Sequence, residues 1–168
     1  MADTRWLSED EQQTWRSFIT ASRLFWDRVE RQLQQCAGIP HAYYEILVRL
    51  SEAPERTLRM SQLASTSLSS RSRLSHAVAR MEEAGWIRRL PFPDDRRGAL
   101  AQLTDEGMAR LVAAAPGHVE EVRSLLFAPL SAEQQHALRA ISDTLAARLS
   151  DHAVWPATAD EPACDERC

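Results

Sequence analysis

The chain contains no lysine and no asparagine; all 20 of its basic residues are arginine, a bias read as GC-rich coding rather than chemistry. No apolar run approaches the roughly 18 residues that a membrane span requires, so no membrane insertion is expected. A charged, then apolar, then small-residue leader is missing as well. The three cysteines, Cys36, Cys164 and Cys168, are odd in number and form no disulfide framework. Together these absences lead to the expectation of a reducing cytoplasm. The five histidines show neither H-E-x-x-H nor another ligand spacing, and the Cys164–Cys168 pair is loosely spaced in an acidic tail, so no metal is expected. No G-x-S-x-G, phosphate-binding loop or dinucleotide fingerprint occurs, and Asp94–Asp95 falls on a turn rather than in a cleft. The expectation is a protein that is not an enzyme and carries no cofactor.

What is present is unevenly charged. The 168 residues carry a net charge of −4, which by itself does not suggest a polyanionic partner. Yet Arg56 to Arg97 holds nine arginines against Glu82, Glu83, Asp94 and Asp95, a local +5 that leaves −9 for the rest. A confined anion-binding face on an acidic body follows from that distribution. The length suffices for one domain plus a helical extension, with a core that requires no staple.

Helical periodicity dominates the chain. Ser8-x-x-Glu11 reads as a capping box opening a long amphipathic helix that carries Trp15, Phe18, Ile19, Phe25, Trp26, Val29 and Leu33 and ends near Gly38. Pro40 restarts the chain, and Tyr44, Leu47, Val48 and Leu50 mark a second helix stopped by Pro54. A short third helix fits MSQLASTS, with Ser61 as its N-cap. The fourth, SSRSRLSHAVARMEEAG, buries Leu74, Ala77, Val78 and Met81, and Gly85 is placed to end it in a left-handed conformation.

WIRRL and ALAQL then read as two strands joined by the turn-forming PFPDDRRG, a hairpin with arginines at its tip. Thr104 caps the next helix, which Pro116-Gly117 is expected to interrupt. Ser131 and Gln134 form the reciprocal cap of a last helix. Beyond Val154 the tail is polar, acidic and aperiodic, and disorder is expected there.

Helix, helix, short helix, helix, hairpin is the order of a winged helix-turn-helix. The expected fold is mainly α with a small β-hairpin wing. Residues 40–103 form the DNA-binding unit, residues 8–38 and 104–152 the dimerisation helices, and 154–168 a tail. The basic segment coincides with the fourth helix and the wing, where arginines gain affinity for duplex DNA by releasing phosphate counterions. In such a fold the fourth helix enters the major groove, so the residues off its buried stripe are the candidate contacts: Ser70, Arg71, Arg73, Ser75, His76 and Arg80. Arg71 and Arg73 lead, because a guanidinium can bridge O6 and N7 of guanine. At the wing, Arg97 is the candidate for the minor groove with Asp95 orienting it, and Arg88 and Arg96 for phosphate.

The run from Leu63 to Gly107 resembles the signature of the MarR (multiple antibiotic resistance regulator) family. Its elements stand here as Leu63-Ala64, Met81-Glu82, Gly85-Trp86-Ile87-Arg88-Arg89, Asp95-Arg96-Arg97 and Leu103-Thr104-Asp105-Glu106-Gly107. The resemblance implies a triangular homodimer whose N-terminal and last two helices intertwine, each subunit offering a winged helix to a pseudo-palindromic operator. Arg97 falls on the family's wing-tip arginine. Many such proteins are repressors released by a small phenolic or lipophilic ligand or by cysteine oxidation. Oxidation-sensing members carry a cysteine early in the first helix, whereas Cys36 lies at its far end and reads as a structural thiol.

Independently of the resemblance, the first helix and the last, with Leu138, Ile141, Leu145 and Leu149, carry more apolar surface than a lone winged helix can cover, which a two-fold pairing would bury. An effector is expected in the crevice between the dimerisation helices and the winged helix, with Ser22, Trp26, Tyr43 and Tyr44 as candidate walls. The competing reading is a winged-helix module whose basic face binds an acidic protein.

Overall fold

The computed structural model describes residues 4–66, 71–92 and 95–149, without the side chains of 65, 66, 71 and 95–97. Helix α1 spans Glu9–Ala37 and begins with the expected capping box: Ser8 Oγ accepts from the Glu11 N–H at 3.2 Å, and Glu11 Oε2 accepts from the Ser8 N–H at 2.7 Å. Gly38, at φ 66°, ends it. Helix α2 spans His41–Glu52, and its first turn is tied back to α1 because the His41 N–H donates to Glu30 Oε2 at 3.0 Å.

A tight turn at Pro54–Arg56 places two consecutive non-glycine residues, Glu55 (φ 51°) and Arg56 (φ 55°), in the left-handed region. Surrounding groups hold this costly conformation. The Glu55 carbonyl accepts from Thr57 Oγ1 and from Gln102 Nε2, and the Arg56 guanidinium pairs with Asp105 at 3.1 Å. Strand β1, Thr57–Arg59, follows at once; three residues are too few to show a two-residue alternation in sequence.

Helix α3 spans Met60–Thr66, so Ser61 lies inside it rather than at its cap. The capping role falls to Gln62, whose Oε1 accepts from the Arg59 N–H at 3.1 Å. Helix α4, Arg71–Glu83, turns Leu74, Ala77, Val78 and Met81 inward as expected. Gly85, at φ 78°, closes it. Its N–H donates to the Glu82 carbonyl while the Trp86 N–H reaches back to Met81, the paired bonds of a left-handed glycine stop.

Strands β2 (Ile87–Phe92) and β3 (Asp95–Leu103) form the hairpin, and the three-stranded antiparallel sheet has the order β1-β3-β2. Both strands extend into the expected turn, leaving only residues 93–94 between them, and Trp86 precedes β2. The register runs from Ile87↔Leu103 to Pro91↔Ala99 and then jumps to Phe92↔Asp95. Arg96, Arg97 and Gly98 therefore have no counterpart on β2. Such a bulge bends a strand and re-aims its side chains.

Helix α5 spans Asp105–Val122, with Thr104 Oγ1 accepting from the Gly107 N–H at 3.0 Å. It runs through Pro116 rather than breaking there. Contacts along α1 stabilise it despite the missing donor, and Gly117 faces α1 so closely that a Cβ would lie 2.9 Å from Gln32 Nε2. The wide turn Arg123–Phe127, with the Ala128 N–H donating to the Arg123 carbonyl at 2.8 Å, leads toward α6, Ala132–Leu149. Ser131 and Gln134 exchange hydrogen bonds at its start.

The core joins Val29 and Leu33 of α1, Leu47 and Leu50 of α2, Leu63, Val78, Met81, Ile87 and Ala101. It lies beneath the helix-turn-helix and the inner face of the sheet. Among the described residues, helix α6 buries none of its side chains.

Candidate nucleic-acid interface

Helix α4 has one buried stripe, and 100° per residue sets the other side chains relative to it. Arg73, His76 and Arg80 recur at three and four residues, forming an exposed row beside the stripe; Ser75 is also exposed. Arg80 pairs with Glu83 at 3.1 Å on the surface, a bond weak enough to exchange for another anion. Ser70 lies outside the described residues, as does the Arg71 side chain.

The wing is fastened to this helix from its inner face. Glu82, near the end of α4, accepts from the Arg89 N–H at 3.0 Å through Oε1 and pairs with Arg89 Nε at 3.1 Å through Oε2. Cross-strand partners share a face, so Arg89 points toward α4 with Ile87 and Ala101, and Arg88 points the other way with Gln102. Arg88 Nε donates to Gln102 Oε1 at 2.6 Å, beside a polar cavity of about 350 Å³ bounded also by Glu55, Arg56 and Asp105. Arg88 is thus exposed but on the face away from α4. Asp95, Arg96 and Arg97 begin β3, the two arginines within the bulge; their side chains, and the Asp95–Arg97 pairing, lie outside the described atoms.

Arg56, Arg59 and Arg89 of the basic segment were not among the sequence candidates, and Arg59 makes a contact of its own. The Arg59 guanidinium lies 3.8 Å from the centroid of the Phe92 ring. No local pattern could single it out, because the contact joins β1 to the far end of β2.

The expected effector walls are only partly assembled. Tyr44 is buried with its ring 4.4 Å from that of His118, and Trp26 stands 4.9 Å from His41. The two imidazoles are 6.2 Å apart. Burial pushes the His118 pKa below its ordinary value, with the charge of His41 adding to the effect, and burial pushes Tyr44 up. The His118 Nδ1 is buried without a hydrogen-bond partner among the described residues. A cavity of about 370 Å³ adjoins His118, bounded by Val119, Val122, Arg123 and Phe127; Ser22, Trp26, Tyr43 and Tyr44 do not line it. Ser22 and Tyr43 are half-buried. His41 and His118, which no ligand spacing marks in sequence, stand here against Trp26 of α1 and Tyr44 of α2.

Cys36 is exposed, and among the described residues no cluster of three His, Cys, Asp or Glu side chains is placed to hold a metal. Cys164, Cys168 and the remainder of the tail lie outside the described residues. No described helix is long and apolar enough to cross a membrane.

The MarR family model matches residues 37–98, from the end of α1 to the wing bulge. Sco3205 of Streptomyces coelicolor, a MarR family transcriptional regulator whose structure is in complex with DNA, is 49% identical with a TM-score of 0.85; the match covers 90% of this chain and 97% of Sco3205. The HTH-type transcriptional regulator PecS of Dickeya dadantii is 41% identical over 81 residues, 48% of each chain, so the match spans about half of PecS. PapX of Escherichia coli, also an HTH-type transcriptional regulator, is 30% identical over 117 residues, 68% of this chain and 69% of PapX.

Proposed function

Because the chain belongs to the MarR family of transcriptional regulators, we propose that it binds duplex DNA in a sequence-specific manner as a cytoplasmic homodimer and represses transcription from a pseudo-palindromic operator. The observation that carries this reading is the exposed row Arg73, His76 and Arg80 on α4, next to a wing that Glu82 fastens to the same helix. The row suits base edges and phosphates of a major groove, and the bulged arginines of the wing suit the adjacent minor groove. Residues 40–103 are the DNA-binding unit, and residues 8–38 and 104–152 the dimerisation helices. Nothing in this reading calls for catalysis or a cofactor.

Dimerisation is supported by apolar surface that the chain leaves uncovered. Trp15 on α1 is 56% exposed, and on α6 Ile141 and Leu145 are 57% and 42% exposed. Burying such side chains contributes about 1.5–3 kcal/mol each when complete. A two-fold pairing places two recognition helices about one DNA turn apart, roughly 10 base pairs. The cavity beside His118 suits a small phenolic or lipophilic effector, with Val119, Val122 and Phe127 as apolar walls and Arg123 available to an acidic end. Binding there would release DNA by favouring a dimer with wrongly spaced helices, a coupling of about 1–3 kcal/mol being typical.

Selection of bound sequences from a random duplex library tests DNA binding, symmetry and spacing together. The expected result is an inverted repeat with half-sites about one turn apart. Recovery of no enriched sequence overturns the reading and favours an acidic protein as the partner of the basic face. Sedimentation of Leu145→Glu should show a monomer, with the loss of tight binding to the selected duplex.

A further inference from the structure

Arg59 is tied at both ends to different parts of the winged helix. Its backbone N–H is held by Gln62, so it marks the start of α3, the first helix of the helix-turn-helix. Its guanidinium lies over Phe92, the last residue of β2, at 3.8 Å. Between the two runs the sheet: Arg59 pairs with Leu100 of β3, and Leu100 with Leu90 of β2. Leu90 and Leu100 therefore share the outer face with Arg59, and both are half-buried there.

The position of Phe92 gives this contact its weight. The ladder between β2 and β3 is regular up to Pro91 and shifts register before Phe92, which pairs with Asp95, so the end of β2 is aligned by one out-of-register pair rather than by the regular ladder of the hairpin base. Edge strand β1 has no ladder to β2 at all. The stack is the described contact that links the end of β2 directly to β1 and α3. A planar guanidinium is suited to it, since it can lie on a ring and still offer donors at its edge, whereas an ammonium is compact and strongly hydrated.

We infer that Arg59 is a positioning residue for DNA binding: stacked on Phe92, it holds the end of β2 at the angle to the helix-turn-helix that binding to the duplex requires. The inference rests on the DNA-binding reading above. It assigns to an uncharged residue, Phe92, a part in an electrostatic contact, and that is where it departs from a direct phosphate contact by Arg59.

The test uses the full chain with Arg59→Ala, Arg59→Lys, Phe92→Leu and the double variant Arg59→Ala/Phe92→Leu, measuring affinity for the selected duplex over a range of salt. Phe92→Leu retains an apolar side chain at a half-buried position, so its effect on binding is not confounded by loss of the fold. Arg59→Lys and Phe92→Leu should each weaken binding roughly three- to fivefold, the size of one exposed guanidinium–ring contact. The double variant should be no weaker than Arg59→Ala. Phe92→Leu should also flatten the salt dependence although it removes no charge. Additive losses, with flattening in Arg59→Ala alone and wild-type affinity in Arg59→Lys, overturn the inference and leave Arg59 a simple phosphate contact. Amide exchange in the DNA-free protein separates this from the DNA reading. The amides of residues 90 and 92 should exchange faster, corrected for the intrinsic rate of the new side chain, in Phe92→Leu and Arg59→Lys than in wild type, whether or not a duplex binds, and equal exchange sinks the brace.

Discussion

Glu82 grips Arg89 twice, by the backbone N–H at 3.0 Å and by the guanidinium at 3.1 Å, and so joins the end of α4 to the first strand of the wing. Both side chains are more than a third exposed, and the pair adds only about 0–1 kcal/mol to stability. Its importance is angular. Glu82→Gln removes a negative charge near a polyanion, which on charge alone should tighten DNA binding. If the pair sets the wing, binding should weaken instead, by up to about tenfold for 1.4 kcal/mol, with Tm almost unchanged. A titration of the selected duplex decides by the sign of the change.

The helix and the wing should fail differently. Arg73→Ala should cost about 1–3 kcal/mol and relax preference at one base step if Arg73 reads guanine. Arg97→Ala, at the bulge, should weaken all sequences alike and lower the salt slope by about one unit. Binding of a panel of single-base operator variants at several salt concentrations separates the two. Uniform weakening by Arg73→Ala would reassign it to the phosphate backbone.

Gly107 shows how closely α5 approaches the base of the wing. A Cβ there would lie 2.2 Å from the Trp86 carbonyl oxygen and 2.7 Å from Leu103 Cδ1. That oxygen also accepts from the Thr104 N–H and hydroxyl, so it is not free to retreat. Gly107→Ala is expected to destabilise the protein by about 1–3 kcal/mol. Thermal unfolding should record a fall of roughly 2–4 °C for each kcal/mol.

His118 should make stability sensitive to acid. Its pKa in the fold is lowered from about 6.5, first by burial and then by His41 across the α2–α5 junction. The unfolded chain therefore binds the proton more readily. The stabilisation is complete above the ordinary histidine value and is lost as pH falls through the lowered one. Between about pH 7.5 and about pH 5, Tm of the wild type should drop further than that of His118→Gln. Parallel curves would show that other groups account for the acid sensitivity.

Much of this architecture was legible before any coordinates because its signals are local. Ser8 with Glu11, Ser131 with Gln134 and Thr104 act within one helical turn of themselves, and the stripe Leu74, Ala77, Val78, Met81 is a period of one helix. The departures arose where distant parts of the chain decide. Pro116 stays helical because α5 lies along α1, and β1 exists because β3 offers it a partner. Ser61 lies inside α3, where the Gln62 amide oxygen instead reaches back to the Arg59 N–H at the helix start. Sequence spacing likewise cannot reveal that Arg88 and Arg89, neighbours in the chain, face opposite ways with Gln102 and Glu82 as partners, or that Arg59 reaches Phe92. The effector walls expected from residue type do not line the cavity beside His118, and the imidazoles of His41 and His118, which stand against Trp26 and Tyr44, come from helices far apart in sequence.

Among the described residues, none on helix α6 is buried. With a second copy as its cover in the proposed dimer, part of the folding free energy is bimolecular, so heat resistance rises with the amount of protein in solution. Abundance and integrity are then a single variable: a cell that dilutes this regulator also shortens the life of each remaining molecule, and the operator is vacated more abruptly than simple mass action on DNA would give.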